Sequence, residues 1–160
     1  MPEIVHVFVF DTLADWEPGF AVAGLNQPEG QKAPGRYRVR TVAASREPIT
    51  TIGGIRIQPD ASLDQIKPEA SAMLILPGGE TWDQGKNLEA VEQAKMFLAA
   101  GTPVAAICGA TAGLARGGVL DTRMHTSNAP EYLAATAYRG AHLYQAADVV
   151  TDGTSPPPAA

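Results

Sequence analysis

Apolar residues along the chain occur in short runs separated by turn-forming residues, and each run predicts a β-strand. Ile4–Phe10 is apolar at odd and even positions alike, which is typical of a strand buried on both faces. Arg36–Ala44 alternates instead, and Pro48–Pro59 predicts two short strands around a turn at Gly53–Gly54. Two more buried strands and a last strand are predicted further along, at Ala72–Leu76, Val104–Ile107 and Ala147–Val150.

Helical segments lie between these strands. In Leu88–Ala100 the apolar residues recur at the helical period. The other predicted helices are Trp16–Leu25, Ala110–Val119 and Pro130–Thr136. Because alternating strands and helices form parallel sheets, the pattern predicts an α/β three-layer sandwich with helices on both faces of a mostly parallel sheet.

Length and composition limit the function classes. The chain has 160 residues, which fits one domain over residues 1–153 and a proline-rich tail over 154–160. A net charge of −5 without a cluster of Lys and Arg argues against nucleic acid as a partner. No apolar run is long enough for a membrane span, and the acidic start does not resemble a signal peptide. We therefore expect a cytoplasmic protein.

The residues that bind metals are sparse and scattered. The single cysteine excludes an internal disulfide, and the three histidines have none of the short spacings that metal sites favour. We expect neither a metal nor another cofactor.

Cys108 lies at the predicted junction between a buried strand and a helix. Small residues flank it at Ala106 and Ala110, as a sharp nucleophile elbow requires. The amides at the start of the helix are expected to favour the thiolate and lower the pKa of the thiol. The alternative is an inert, buried cysteine.

Two other segments follow predicted strands at the same edge of the sheet. Glu17 is the carboxylate placed to face the sulfur, where a protonated Glu would donate to the thiolate; the alternative is an acidic residue that only complements a helix N-terminus. Gly78 and Gly79 follow the strand Ala72–Leu76, and their amides suit an oxyanion hole or a plain turn.

Taken together, these segments resemble the ThiJ/PfpI superfamily, which has the class I glutamine amidotransferase-like, flavodoxin-like fold. The resemblance rests on five segments, which are, in this order, AspThrLeuAlaAspTrpGlu, LeuIleLeuProGlyGlyGlu, AlaIleCysGlyAlaThrAlaGlyLeuAla, GlyValLeuAspThrArgMetHisThrSerAsn and ValValThrAspGly. It implies that Cys108 is the reactive residue, that Glu17 lies beside the thiol, and that the amides of Gly79 and Gly109 form the oxyanion hole.

The chain departs from the family pattern at the expected catalytic histidine. Where peptidase-like members have a histidine directly after the cysteine, this chain has Gly109. Glyoxalase-like members have one about twenty residues later, a position that falls on Asn128, with His125 three residues before it. The resemblance leaves His125 as a catalytic candidate and Asn128 as a substrate-binding one.

The chain also resembles a family member shortened at its C-terminus, since ThrSerProProProAlaAla replaces a closing strand and helix. Such a chain leaves a sheet edge and an apolar face to be covered, and a homodimer is expected to cover them.

Three functions remain open at this point. The first is a small-molecule enzyme with a covalent Cys108 intermediate, either glyoxalase-like, isonitrile hydratase-like or amidotransferase-like. Peptide hydrolysis is not expected, because amide cleavage needs a proton for the departing amine. The second is a redox or stress-response protein that senses oxidants through Cys108 without turnover. The third is a binding module with an inert cysteine.

Overall fold

A five-stranded parallel sheet forms the centre of the computed structural model, which describes residues 1–153. Its strands are β1 (Glu3–Phe8), β2 (Tyr37–Ala43), β5 (Ala61–Ser62), β6 (Met73–Leu76) and β7 (Val104–Ala106), in the spatial order β5-β2-β1-β6-β7. The pairs β1–β2, β1–β6, β2–β5 and β6–β7 are all parallel. The predicted mostly parallel sheet is confirmed.

The helices cover both faces of this sheet. They are α1 (Trp16–Asn26), α2 (Glu80–Asp83), α3 (Leu88–Ala99), α4 (Gly109–Arg116) and α5 (Pro130–Ala134). The chain moves from β1 to β2 toward one edge of the sheet and from β6 to β7 toward the other. Because such crossovers are right-handed, α1 and α3 lie on opposite faces, which gives the predicted three-layer α/β sandwich.

An aromatic cluster packs beneath the carboxyl edge of the sheet. Trp82 of α2 is fully buried and meets the rings of Phe8 and Phe10 edge-on, at 6.1 and 5.9 Å between centroids. Its indole N–H donates to the Pro77 carbonyl at 2.8 Å. Burial of each such side chain contributes about 1.5–3 kcal/mol, so the cluster fixes the loop after β6.

The short hairpin predicted within Pro48–Pro59 is present. It consists of antiparallel strands β3 (Ile49–Thr50) and β4 (Arg56–Ile57) outside the main sheet. Its turn is tied to the start of α1, since the Gly53 amide donates to Asp15 Oδ2 at 2.8 Å. This bond explains why so short a hairpin keeps a fixed place.

The strand predicted at Ala147–Val150 is wrong. These residues form no strand, and Val149 is 80% exposed. Valines favour strands only where they pack and pair with a neighbour, and this segment has no ladder partner within residues 1–153. The predicted tail over 154–160 lies outside the described residues. Within the described part of the chain, no helix has the length and apolar character to cross a membrane.

Candidate active site

Cys108 occupies a sharp turn between β7 and α4. Its backbone has φ 52° and ψ −120°, a conformation that non-glycine residues rarely adopt and that costs about 1–3 kcal/mol. The flanking backbone holds it there, because the Ile107 amide donates to the Leu76 carbonyl at 3.0 Å and the Thr111 amide to the Cys108 carbonyl at 3.0 Å. This geometry is that of a nucleophile elbow, with the half-buried sulfur at the carboxyl edge of the sheet.

Glu17 and Cys108 both pack against Gly78. Glu17 lies in the first turn of α1, and its Oε2 accepts a hydrogen bond from the Gly78 amide. A methyl group on Gly78 would lie 2.7 Å from Glu17 Oε2 and 2.8 Å from Cys108 Cβ, so only glycine fits between them. The structure therefore brings the carboxylate, the glycine and the cysteine together.

Gly79 and Gly109 adjoin one another beside the sulfur. A methyl group on Gly109 would lie 3.1 Å from both the Gly79 carbonyl oxygen and Trp82 Cβ. The Gly109 amide lowers the pKa of the Cys108 thiol, and the Gly79 amide has no backbone acceptor within residues 1–153. The structure thus brings Gly79 and Gly109 together beside the elbow.

Asn128 contacts the sulfur directly. Its Nδ2 donates to Cys108 Sγ at 3.2 Å. The amide thus occupies the position twenty residues after the cysteine at which glyoxalase-like members of the family have a histidine. An amide can donate to a thiolate, but it cannot take the thiol's proton as an imidazole can.

His125 does not reach the sulfur, which corrects the expectation that it acts as a base there. Its Nδ1 lies 2.7 Å from the Arg123 carbonyl, which accepts only, so this nitrogen carries the proton. Its Nε2 lies 3.0 Å from the Tyr138 hydroxyl, and the ring is 5% exposed. Because both ring nitrogens are engaged within the fold, His125 anchors the loop that leads to Asn128.

The electrostatic surroundings raise the pKa of the Cys108 thiol above its ordinary value. Burial is the largest cause, and the Glu17 carboxylate adds to it through its charge and by accepting from the thiol. Hydrogen bonds from Asn128 and the Gly109 amide lower the pKa, but by less. The direction is therefore opposite to the expected low pKa, because burial, together with the Glu17 carboxylate, outweighs the hydrogen bonds from Asn128 and Gly109.

Two residues near the site escaped the sequence analysis. The Tyr132 hydroxyl in α5 donates to Asp83 Oδ1 in α2 at 2.6 Å. Sequence carries no direct signal for this pair, since the two residues are far apart along the chain. The one sequence feature that bears on this pair is that Tyr132 lies four residues, about one helical turn, after Asn128. Among residues 1–153, no three His, Cys, Asp or Glu side chains group as metal ligands would.

Curated relatives share much of this chain. The uncharacterized protease YoaZ of Bacillus subtilis is 39% identical over 158 residues, which cover 92% of this chain and 72% of that protein. Deglycase PH1704 of Pyrococcus horikoshii is 34% identical over 92 residues, 57% of this chain and 55% of that protein. Both chains are longer than the segment that they share with this one.

A solved structure and a family model agree with these relatives. The thiJ/pfpI family protein from Bacillus anthracis superposes with a TM-score of 0.82 at 42% identity, over 95% of this chain and 73% of that one. The model of the DJ-1/PfpI family matches residues 3–155. These residues include the whole of the site described above, and the chain belongs to the DJ-1/PfpI family.

Proposed function

We propose that the protein is a cysteine-dependent enzyme that converts a small 2-oxoaldehyde into the corresponding 2-hydroxy acid. One observation carries the proposal. The Cys108 sulfur lies between a proton acceptor, Glu17, and a donor, Asn128 Nδ2 at 3.2 Å. A thiol in this setting can give up its proton at the moment of attack and have the resulting charge stabilised.

The first step is addition of the thiol to the aldehyde carbon. The sulfur–carbon bond forms as Glu17 takes the thiol proton, and the carbonyl π pair moves to the aldehyde oxygen. The amides of Gly79 and Gly109 stabilise this oxyanion, which then receives the proton from Glu17. The product of the step is a hemithioacetal on Cys108.

The second step moves a proton between the two substrate carbons. The Glu17 carboxylate removes the proton on the carbon bound to sulfur, and the electron pair forms an enediol with the neighbouring carbonyl, whose oxygen gains a proton. The hydroxyl on the sulfur-bound carbon then loses its proton to Glu17 as its oxygen becomes a carbonyl, and the second carbon takes up that proton, which gives a thioester. One carbon is oxidised and the other reduced, so the step needs no external oxidant or reductant.

The last step is hydrolysis. Water adds to the thioester carbon, the carbon–sulfur bond breaks, and the sulfur regains a proton as the 2-hydroxy acid leaves. In the first two steps Glu17 carries the proton that a histidine carries in other cysteine enzymes. This role explains how a site can work without an imidazole at the sulfur.

The names of the relatives bear on the proposal in different ways. PH1704 is named a deglycase, which favours an activity other than peptide hydrolysis. YoaZ is named a protease. Peptide hydrolysis fits this site less well, because no imidazole lies beside the sulfur to protonate the departing amine. Isonitrile hydration and amide hydrolysis use the same nucleophile and are the further substrates to screen.

Turnover of methylglyoxal tests the proposal. Proton NMR is expected to show lactate appearing as methylglyoxal disappears. Cys108→Ser is expected to reduce the rate to background, and Glu17→Gln to lower kcat/KM by about 10²–10⁴-fold, as loss of an acid–base group does. Glu47→Gln, an exposed carboxylate away from the site, is the matched control. Unchanged turnover in Cys108→Ser, or no turnover by the native chain, would overturn the proposal.

A further inference from the structure

The hydrogen bond between Tyr132 and Asp83 joins α5, which follows Asn128, to α2, which follows Gly79. We propose that this bond is a latch, and that Tyr132 is a positioning residue that holds Asn128 on the Cys108 sulfur. The catalytic role of this latch rests on the proposed function, in which Asn128 stabilises the charge on the sulfur. The latch itself concerns the state of the thiol, however, and needs no turnover to be tested.

The latch is connected to Asn128 by a short and ordered stretch of chain. Helix α5 begins two residues after Asn128, and the Tyr132 amide donates to the Ala129 carbonyl at 3.2 Å. The Ser127 hydroxyl donates to the same carbonyl at 2.9 Å. A displacement of Tyr132 is therefore transmitted directly to Asn128.

The other half of the latch is equally well fixed. Asp83 is the last residue of α2, the helix that follows Gly79, and the fully buried Trp82 precedes it. Arg116 Nη1 of α4 donates to the Trp82 carbonyl at 2.7 Å. Asp83 thus offers Tyr132 an anchor that is attached to the oxyanion loop and to the helix of the elbow.

Asn128 needs such an anchor because it is exposed. An exposed amide has water as an alternative partner, and holding it in one rotamer costs conformational entropy. His125 fixes the loop on the N-terminal side of Asn128 through Arg123 and Tyr138. On the C-terminal side, the bond from Tyr132 to Asp83 supplies the corresponding support.

The protonation state of Tyr132 suits a permanent donor. Burial, and after it the Asp83 carboxylate, raises the pKa of the Tyr132 phenol well above its ordinary value. The charge of Cys108 acts in the same direction, which places the phenol within electrostatic reach of the sulfur. The hydroxyl therefore keeps its proton over the whole pH range in which a thiol is titrated.

The rate of Cys108 alkylation by iodoacetamide against pH tests the latch, measured on the native chain, Tyr132→Phe, Asn128→Ala and the double variant. Tyr132→Phe removes only the hydroxyl. It is expected to raise the apparent pKa of Cys108 and to slow alkylation below that pKa by about threefold or more, as the loss of a hydrogen bond to sulfur does. Asn128→Ala is expected to slow alkylation at least as much, and the double variant no further.

Two variants of Asp83 distinguish loss of the hydrogen bond from loss of the carboxylate charge and from misfolding of Tyr132→Phe. Asp83→Asn keeps an acceptor for Tyr132 and removes a negative charge, so its alkylation is expected to be unchanged or faster. Asp83→Ala removes the same hydrogen bond from the acceptor side, and Asp83 is exposed. If Tyr132→Phe does not fold, Asp83→Ala is expected to show the slower alkylation in its place. Tyr37→Phe, on β2, is the matched control. Additive effects in the double variant, or native alkylation in both Tyr132→Phe and Asp83→Ala, would overturn the latch while leaving the turnover test untouched.

Discussion

At the residue scale, the protonated state of Cys108 distinguishes this site from one built around a low-pKa thiol. Cys108 receives donors from Asn128 and Gly109, yet burial and the Glu17 carboxylate raise the pKa of its thiol. Because the pKa of the thiol is raised, the sulfur keeps its proton at rest and gives it up to Glu17 only at the moment of attack in the proposed mechanism. The same arrangement weakens the case for oxidant sensing, because peroxide reacts with the thiolate.

His6 gives a residue-scale prediction about stability and pH. It is 7% exposed on β1, with Nδ1 3.0 Å from Ser71 Oγ. Burial and the charge of Arg40 lower its pKa from 6.5, and Asp60 opposes them. Because the unfolded chain then binds the proton more tightly, the contribution of neutral His6 to stability is present above pH 6.5 and is lost as pH falls toward the folded pKa.

Urea unfolding at several pH values between 7.5 and 5 measures this effect. The free energy of unfolding is expected to fall with pH in the native chain and to fall less steeply in His6→Asn. His142→Asn, which changes an exposed histidine, serves as the control. Equal slopes for the native chain and His6→Asn would contradict the assignment.

At the scale of elements, the strands and the elbow were the most predictable features. Apolar runs and Gly78–Gly79 identify the buried strands and their ends, and the order of strands and helices predicts the parallel sheet. The strand β5 and helix α2 escaped prediction because they are two and four residues long, too short to show a period. Their places depend on partners far along the chain, such as the β2 residues Val42 and Ala43 that pair with β5.

The candidate site was predictable only in part, for a similar reason. Local spacing places Cys108 at an elbow and leads to the early carboxylate Glu17. Spacing does not decide whether His125 or Asn128 contacts the sulfur. That depends on the hydrogen bonds of the imidazole to the Arg123 carbonyl and the Tyr138 hydroxyl, which form only in the folded chain. The direction of the thiol pKa shift likewise depends on contacts that form only in the folded chain, such as the packing of Glu17 and Cys108 around Gly78.

At the scale of the whole molecule, the outward face of α1 carries large exposed apolar side chains. Trp16 and Phe20, one turn apart, are 68% and 93% exposed, and Glu17 is the only charged residue in the helix. Ile52 and Ile55, 45% and 58% exposed, lie in the hairpin that is tied to the start of α1. We propose a second copy of the chain as the occupant, because a two-fold axis covers the same uncharged patch on both copies at once.

Sedimentation velocity of the native chain and Phe20→Glu tests this homodimer. The native chain is expected to sediment as a dimer at micromolar concentration, and Phe20→Glu as a folded monomer, because the charge would be buried without a partner. Met96→Glu, an exposed apolar residue on α3, is the control. A native monomer, or a dimer that survives Phe20→Glu, would contradict the proposal.

In the proposed mechanism Glu17 carries the proton of Cys108. The pH dependence of Cys108 alkylation in the native chain and in Glu17→Gln tests this role. The native chain is expected to show an apparent Cys108 pKa above that of an ordinary thiol. Glu17→Gln removes the carboxylate charge, so it should lower this pKa and speed alkylation at neutral pH while turnover falls. A native pKa well below the ordinary value, or a Glu17→Gln profile identical to the native one, would contradict the account.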